Sequence, residues 1–226
     1  MAVNIDTVYQ KVLAFANKEQ RGYITPQEFN LFAEQAQLEI FEQYFYDINQ
    51  LSRIHGNSDE YSDIKTNIQE KINIFEKTVN MASAVLSSSV YRLGTVWLRD
   101  EGVEVEEVRE NDILKMNASY LTSPTKKRPV FTLRNNTMTI YPTTINAHSC
   151  SYSYIKKPSK PNWSYVVINN KAMYDPGGAA HFELHQSEEN ELVYKILKFA
   201  GLSMKREDLA QGGQGLESLL IQQEKQ

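Results

Sequence analysis

The strongest constraint on this chain is a helix start followed by a long, uninterrupted apolar stripe. Thr25-Pro26-Gln27-Glu28 supplies an N-cap hydroxyl, a proline for the first turn and a carboxylate three residues beyond the cap, the pattern of a capping box. From there Phe29, Phe32, Ala33, Ala36, Ile40, Tyr44, Ile48 and Leu51 recur at helical spacing as far as about Arg53. At 1.5 Å per residue this predicts a rod of roughly 40 Å. Such a rod is long for a globular domain of this size.

Further helical patterns surround it. Asn4 or Asp6 caps a first helix running to about Asn17, with Val8, Val12 and Phe15 on its apolar face. After the turn His55-Gly56-Asn57-Ser58, the stripe Ile64, Ile68, Ile72 and Phe75 predicts a third helix antiparallel to the second, so the first 80 residues are expected to be helical. Near Ala82 the period changes. Val90 to Leu93, Thr95 to Leu98 and Val103 to Val108 are expected strands, followed by a short helix at about Asn111 to Met116. Val130 to Leu133 and Met138 to Tyr141 flank Arg134-Asn135-Asn136-Thr137, a hairpin signal because Asn accepts the left-handed backbone of a tight turn. Ser151 to Ile155, Ser164 to Ile168 and His181 to His185 complete the expected strands. Ser187 then caps a helix buried through Leu192, Val193, Ile196, Leu197 and Ala200, which Gly201 ends or bends. A last amphipathic segment runs from Lys205 to Gln226. The fold class expected is α+β: a helical bundle from both chain ends, residues 1–86 and 186–226, with an inserted small β-rich domain at 87–185.

Composition excludes several function classes. The 226 residues carry 24 Lys+Arg against 28 Asp+Glu, a net charge of −4, so no whole-chain positive field draws the protein to nucleic acid. A single cysteine, Cys150, excludes a disulfide framework within the chain. The opening Met1 to Asp6 has no basic region before an apolar stretch, and the patch near Ala82 to Leu86 is too short to span a bilayer. Folding in a cytosol is the expectation, with no membrane partner.

Four features approximate functional motifs. Asn17 to Glu28 matches the second half of an EF-hand loop, with Gly22 at the sharp turn, Ile24 two later and Glu28 at the closing position. Asn17 replaces the usual first Asp and Arg21 puts a cation where an oxygen ligand belongs. The cap of the following helix accounts for the same residues. His181 and His185 have zinc-ligand spacing, but Glu183 is displaced by one from the HExxH pattern; a half-exposed strand explains all three. Gly212, Gly213 and Gly215 form no phosphate loop, since no strand leads in and no Lys-Ser/Thr follows. Each glycine costs a helix up to about 1 kcal/mol relative to Ala, so the segment is expected to be weak or bent until a partner covers it. Cys150 has His148 two residues away, a pair that shares a face if both lie in one strand, although a strand thiol is more often packed than catalytic. No enzyme, metal or cofactor is expected.

Charge is uneven along the chain. Asp100 to Asp112 holds seven acids against Arg109, while Lys126, Lys127 and Arg128, and then Lys156, Lys157 and Lys160, form two basic patches. These patches are candidates for contact with DNA phosphate or with the acids of a neighbouring subunit.

Several segments taken in order resemble virion structural proteins of tailed phages, notably crAss-like phages and marine relatives. They are Val90-Tyr91-Arg92-Leu93-Gly94, Ser123 to Pro129, Thr139 to Pro142, Ser153 to Pro158 with Pro161-Asn162-Trp163, and Phe182 to Glu188. The plan of helices around a small β domain, with a helical tail after Glu189 to Leu202, is similar to the head-to-tail adaptor (connector ring) proteins of short-tailed phages. That resemblance implies a neck component of the virion that docks on the portal protein, extends the DNA channel and supports tail attachment. Its implied partners are the portal, other neck and tail ring proteins, further copies of itself in a cyclic homo-oligomer (a dodecamer by resemblance) and the genomic DNA passing through. Leu209, Leu216, Leu219, Leu220 and Ile221 would be the apolar anchors of a docking tail that orders on binding. The alternatives are a minor tail or other neck-ring virion protein and, from a different class, a calcium-responsive EF-hand-like regulatory module.

Overall fold

The structure is a computed structural model that describes residues 2–16, 24–53, 59–203 and 207–224, with backbone alone at 52, 53, 59–63, 203, 207–210, 220, 221, 223 and 224. Its helices are α1 (Ile5–Ala16), α2 (Pro26–Arg53), α3 (Asp59–Asn73), α4 (Glu110–Ala118), α5 (Glu189–Ser203) and α6 (Glu207–Glu224). Its strands are β1 (Glu76–Asn80), β2 (Val90–Leu98), β3 (Glu104–Glu107), β4 (Val130–Arg134), β5 (Thr137–Tyr141), β6 (Cys150–Lys156), β7 (Tyr165–Ile168) and β8 (Lys171–Tyr174). The protein is therefore mixed α and β. It divides into two compact units, Met1–Ile74 with Pro158–Gln226, and Phe75–Lys157.

In the helical unit, α5 packs against α1, α2 and α6, and α2 also packs against α3. The caps follow from sequence. Asn4 Oδ1 accepts from the Asp6 amide at 2.9 Å, so Asn4 is the cap of α1, and His181 Nδ1 accepts from the Ile5 amide at 3.3 Å. Thr25 and Glu28 form the reciprocal box that opens α2: Glu28 Oε2 accepts from the Thr25 amide at 3.0 Å and Thr25 Oγ1 accepts from the Glu28 amide at 3.3 Å. Phe29, Ala33, Ala36 and Ile40 are buried as their spacing requires. Phe15 is not, at 46% exposed; Tyr9 and Ala16 complete the buried face of α1 instead.

Trp163 anchors the β7–β8 hairpin to this unit. Its indole Nε1 donates to Asp6 Oδ1 at 2.9 Å, its amide donates to Asn30 Oδ1 at 2.8 Å, and its ring lies 4.3 Å from Tyr9 and 5.8 Å from both Tyr165 and Tyr174. The hairpin turns through Asn169 and Asn170, both with positive φ (51° and 60°). The strand at β8 was not among those expected.

The β unit is a six-stranded sheet in the order β1-β6-β2-β3-β4-β5, antiparallel except where β3 and β4 run parallel. Its core gathers Met81, Leu86, Val96, Leu98, Val105, Phe131, Met138, Ile140, Cys150, Tyr152 and Tyr154. The expected β4–β5 hairpin is present, with Asn135 at φ 47° and Asn136 at φ 60°. The two runs expected either side of Gly94 are one strand, β2, interrupted by register shifts against β6. A Cβ on Gly94 would lie 2.5 Å from Ser153 Oγ, which accepts from the Thr95 amide at 2.9 Å, so glycine is required where the strand bulges.

Three expectations are corrected here. The first 80 residues are not all helical: Glu76 to Asn80 form β1, paired with β6 from Glu76–Ile155 to Asn80–Ser151. Every residue of β1 is exposed, so no alternation of buried side chains marks it in the sequence. His181 to His185 is not a strand; only Phe182 makes a bridge, to Val3. The expected β-rich domain of 87–185 differs from the compact β unit at both ends, because β1 joins the sheet while the stretch from Pro158 onward, including β7 and β8, belongs with the helices.

Candidate assembly surface

The C-terminal helices form the most specific arrangement in the helical unit. A 3₁₀ turn at Gln186–Glu188 precedes α5, capped by His185, whose Nδ1 accepts from the Ser187 amide at 3.3 Å; His185 rather than Ser187 is the cap. Glu188, 2% exposed, accepts Lys71 at 2.6 Å, and Glu189 accepts Lys11 at 2.6 Å, so ion pairs tie the start of α5 to α3 and α1. Gly201 does not end α5, which continues to Ser203.

Beyond it, α6 is one helix from Glu207 to Glu224, running through Gly212, Gly213 and Gly215. The expectation of a glycine-broken tail that orders only on a partner is not met, because α6 packs on α5 of its own chain. Gly213 is what permits this. A Cβ there would lie 3.0 Å from the Lys198 amide nitrogen and 3.1 Å from the Tyr194 carbonyl oxygen, both backbone atoms of α5, whereas Gly212 and Gly215 have nothing within 4 Å. One turn further along the same face, Glu217 accepts from Lys195 Nζ at 2.6 Å and from Lys198 Nζ at 3.0 Å, and Lys195 also lies 3.5 Å from Glu191. Lys195, Glu191 and Glu217 are all buried.

Burial alone would lower the pKa of Lys195, yet its hydrogen bond to Glu217 and the charges of Glu191, Glu217 and Glu39 hold it above the ordinary lysine value. Burial would likewise raise Glu217, but its hydrogen bonds from Lys195 and Lys198 keep it below the ordinary glutamate value. The two shifts agree: this is an ionised, hydrogen-bonded lock. Sequence reasoning passed over both residues, although Lys195 stands between Tyr194 and Ile196 on a buried helix, where a cation requires a partner.

The predicted anchors fall on this helix. Leu216 is 41% and Leu219 57% exposed, beside Glu217 in sequence but turned out to solvent. Leu209, Leu220 and Ile221 belong to α6 by backbone, and their side chains lie outside the described residues. The basic residues divide between units. Lys126 and Lys127 form the tip of a tight turn closed by Thr125 and Arg128, whose amides each donate to the other's carbonyl (3.3 and 3.0 Å), and Lys126, Lys127 and Arg128 are exposed. Lys156 ends β6 and Lys157 follows it in the β unit, whereas Lys160 belongs to the helical unit and pairs with Glu34 at 2.6 Å.

The remaining near-motifs resolve into local structure. Residues 17–23 of the EF-hand-like segment lie outside the described residues, and the Glu28 carboxylate serves the Thr25 cap, whose hydroxyl and amide lower its pKa. His181 and His185 each accept from a helix-start amide. Cys150 is fully buried, and burial raises its thiol pKa. His148 sits in the 3₁₀ turn Ala147–Ser149 and not in the strand, so the two do not share a strand face. Among the described residues, no three His, Cys, Asp or Glu are grouped to hold a metal ion, and no helix is long and apolar enough to cross a membrane. No protein-family model and no curated protein sequence matches the chain.

Proposed function

We propose that this chain is a virion structural protein, a head-to-tail adaptor subunit that docks on the portal, extends the DNA channel and supports tail attachment. The observation that carries the reading is the outward display of Leu216 and Leu219 on a helix whose opposite face is locked to α5. Exposed leucines on an ordered helix offer an apolar anchor without the cost of folding a tail on contact. In this reading the helical unit from both chain ends is the mounting part, the β domain is inserted between them, and Lys126, Lys127 and Arg128 are available to DNA phosphate or to a neighbouring subunit. The protein is built in the host cytoplasm and ends in the virion neck.

The test is incorporation into portal particles. Wild-type protein is expected to co-sediment with the portal of its own virion and to occupy the neck in a cryo-electron microscopy map. Leu216→Asp/Leu219→Asp, which leaves the α5-facing side intact, is expected to lose co-sedimentation with an unchanged thermal melt. Undiminished incorporation of that variant, or density for the protein elsewhere in the virion, would overturn the adaptor role.

A further inference from the structure

The last two helices of the helical unit are held in different ways. α5 packs on α1 and α2 as well as α6, and buries Leu192, Val193, Ile196, Leu197 and Ala200. α6 packs chiefly on α5, and among its described side chains only Gly213 and Glu217 are buried, while Leu216 and Leu219 turn outward. Its described contacts are therefore a close backbone approach at Gly213 and the bonds of Glu217 to Lys195 and Lys198, at 2.6 and 3.0 Å. Glu191 of α5 and Glu39 of α2 are the other charges facing Lys195.

Such a seat is specific but opens readily. A buried ion pair gains Coulomb energy but loses hydration, so its net hold is small, and when α6 lifts away Lys195 and Glu217 return to water together. Neither is then left buried without its partner. A region with few buried apolar contacts opens at a lower free energy than the core around it. The helix also does not stand by itself. Gly212, Gly213 and Gly215 fall near the middle of its 18 residues, each disfavouring the helical state about fivefold relative to Ala. Leaving α5 and unwinding are one event.

We propose that α6 is a latch that leaves α5 and unwinds as one unit while the rest of the helical unit stays folded, and that Glu217 holds it shut. The open state uncovers Lys195 and Lys198 of α5. The closed state alone presents Leu216 and Leu219 as an ordered pair, so a partner bound at these leucines favours closure, and loosening the latch weakens that partner. This regulation rests on the portal-docking reading; the opening itself does not.

Hydrogen exchange of the full-length protein, followed by mass spectrometry of its fragments, tests the latch without any portal. In wild type the amides of residues 211–219 are expected to exchange together, about tenfold or more faster than those of α5. Glu217→Gln is expected to speed exchange across α6 about tenfold further and to leave α1 and α2 unchanged. Gly212→Ala, which strengthens the helix without touching α5, is expected to slow α6 about fivefold. Wild-type α6 exchanging in step with α5, an α6 that ignores either substitution, or a Glu217→Gln chain in which α1 and α2 open along with α6 would overturn the proposal. Opening in this pattern without portal binding would remove the docking role and leave the latch standing; portal binding by a protein that fails these tests would do the reverse.

Discussion

Lys195 Nζ lies 2.6 Å from Glu217 Oε1, with the two side chains only 4% and 10% exposed, and this contact fastens α6 to α5. A buried pair is costly to break because the survivor keeps its charge without its partner. Glu217→Ala is therefore expected to lose about 3–5 kcal/mol in urea denaturation, while Glu191→Leu/Lys195→Met/Glu217→Leu, which replaces all three buried charges of the network with apolar volume, is expected to be near neutral or stabilising. Equal losses from the two variants would mean that the lock is not the desolvated pair described. Truncation before α6 uncovers the same lysine, so deleting the C-terminal helix destabilises the protein as well as removing its anchors.

The lock also sets a pH dependence. Glu217 is depressed, so its contribution is present above the ordinary glutamate value and fades as pH falls through the lower, folded value. Lys195 is raised, so its contribution is present below the ordinary lysine value and fades as pH rises through the higher, folded one. The contribution of the lock to the melting temperature is expected to be flat across neutral pH and to fall on the acid side below the ordinary glutamate range. In Glu217→Gln that part of the acid fall should be missing, as a pH series of thermal melts would reveal.

The three glycines of α6 should separate cleanly. Gly212→Ala and Gly215→Ala add a methyl group where nothing lies within 4 Å, and each is expected to stabilise the helix by about 0.5–1 kcal/mol. Gly213→Ala presses on the backbone of Tyr194 and Lys198 and is expected to destabilise. Thermal melts of the three single variants check the order; a stabilising Gly213→Ala would refute the close helix approach.

Trp163 is expected to behave as a structural anchor. It is buried, bonded to Asp6 and Asn30, and grouped with Tyr9, Tyr165 and Tyr174. Trp163→Ala should cost about 3–5 kcal/mol, while Trp163→Phe keeps an aromatic ring and loses chiefly the bond to Asp6, about 1–3 kcal/mol. Chemical denaturation followed by far-ultraviolet circular dichroism measures both.

Local signals carried much of the fold. The Thr25–Glu28 box and the Phe29–Ile40 spacing located α2, and the Asn135-Asn136 turn located the β4–β5 hairpin, because caps and left-handed turns are satisfied by residues a few positions apart. The same Asn-Asn signal stands at 169 and 170, where it went unused. Of the proposed docking surface, Leu216 and Leu219 were legible as apolar residues at helical spacing; the lock beneath them was not.

Amino-acid order by itself determined where α1 and α2 begin, where the Asn-Asn turns fall and that no single field of charge dominates the chain. Tertiary structure alone decided that Glu76 to Asn80 is a strand, since an edge strand with no buried face owes its form to β6. It also decided what the C-terminal glycines mean. Glycine weakens an isolated helix, but Gly213 lets two backbones approach closely enough for Glu217 to reach Lys195 and Lys198, and that distance exists only once α5 and α6 have packed.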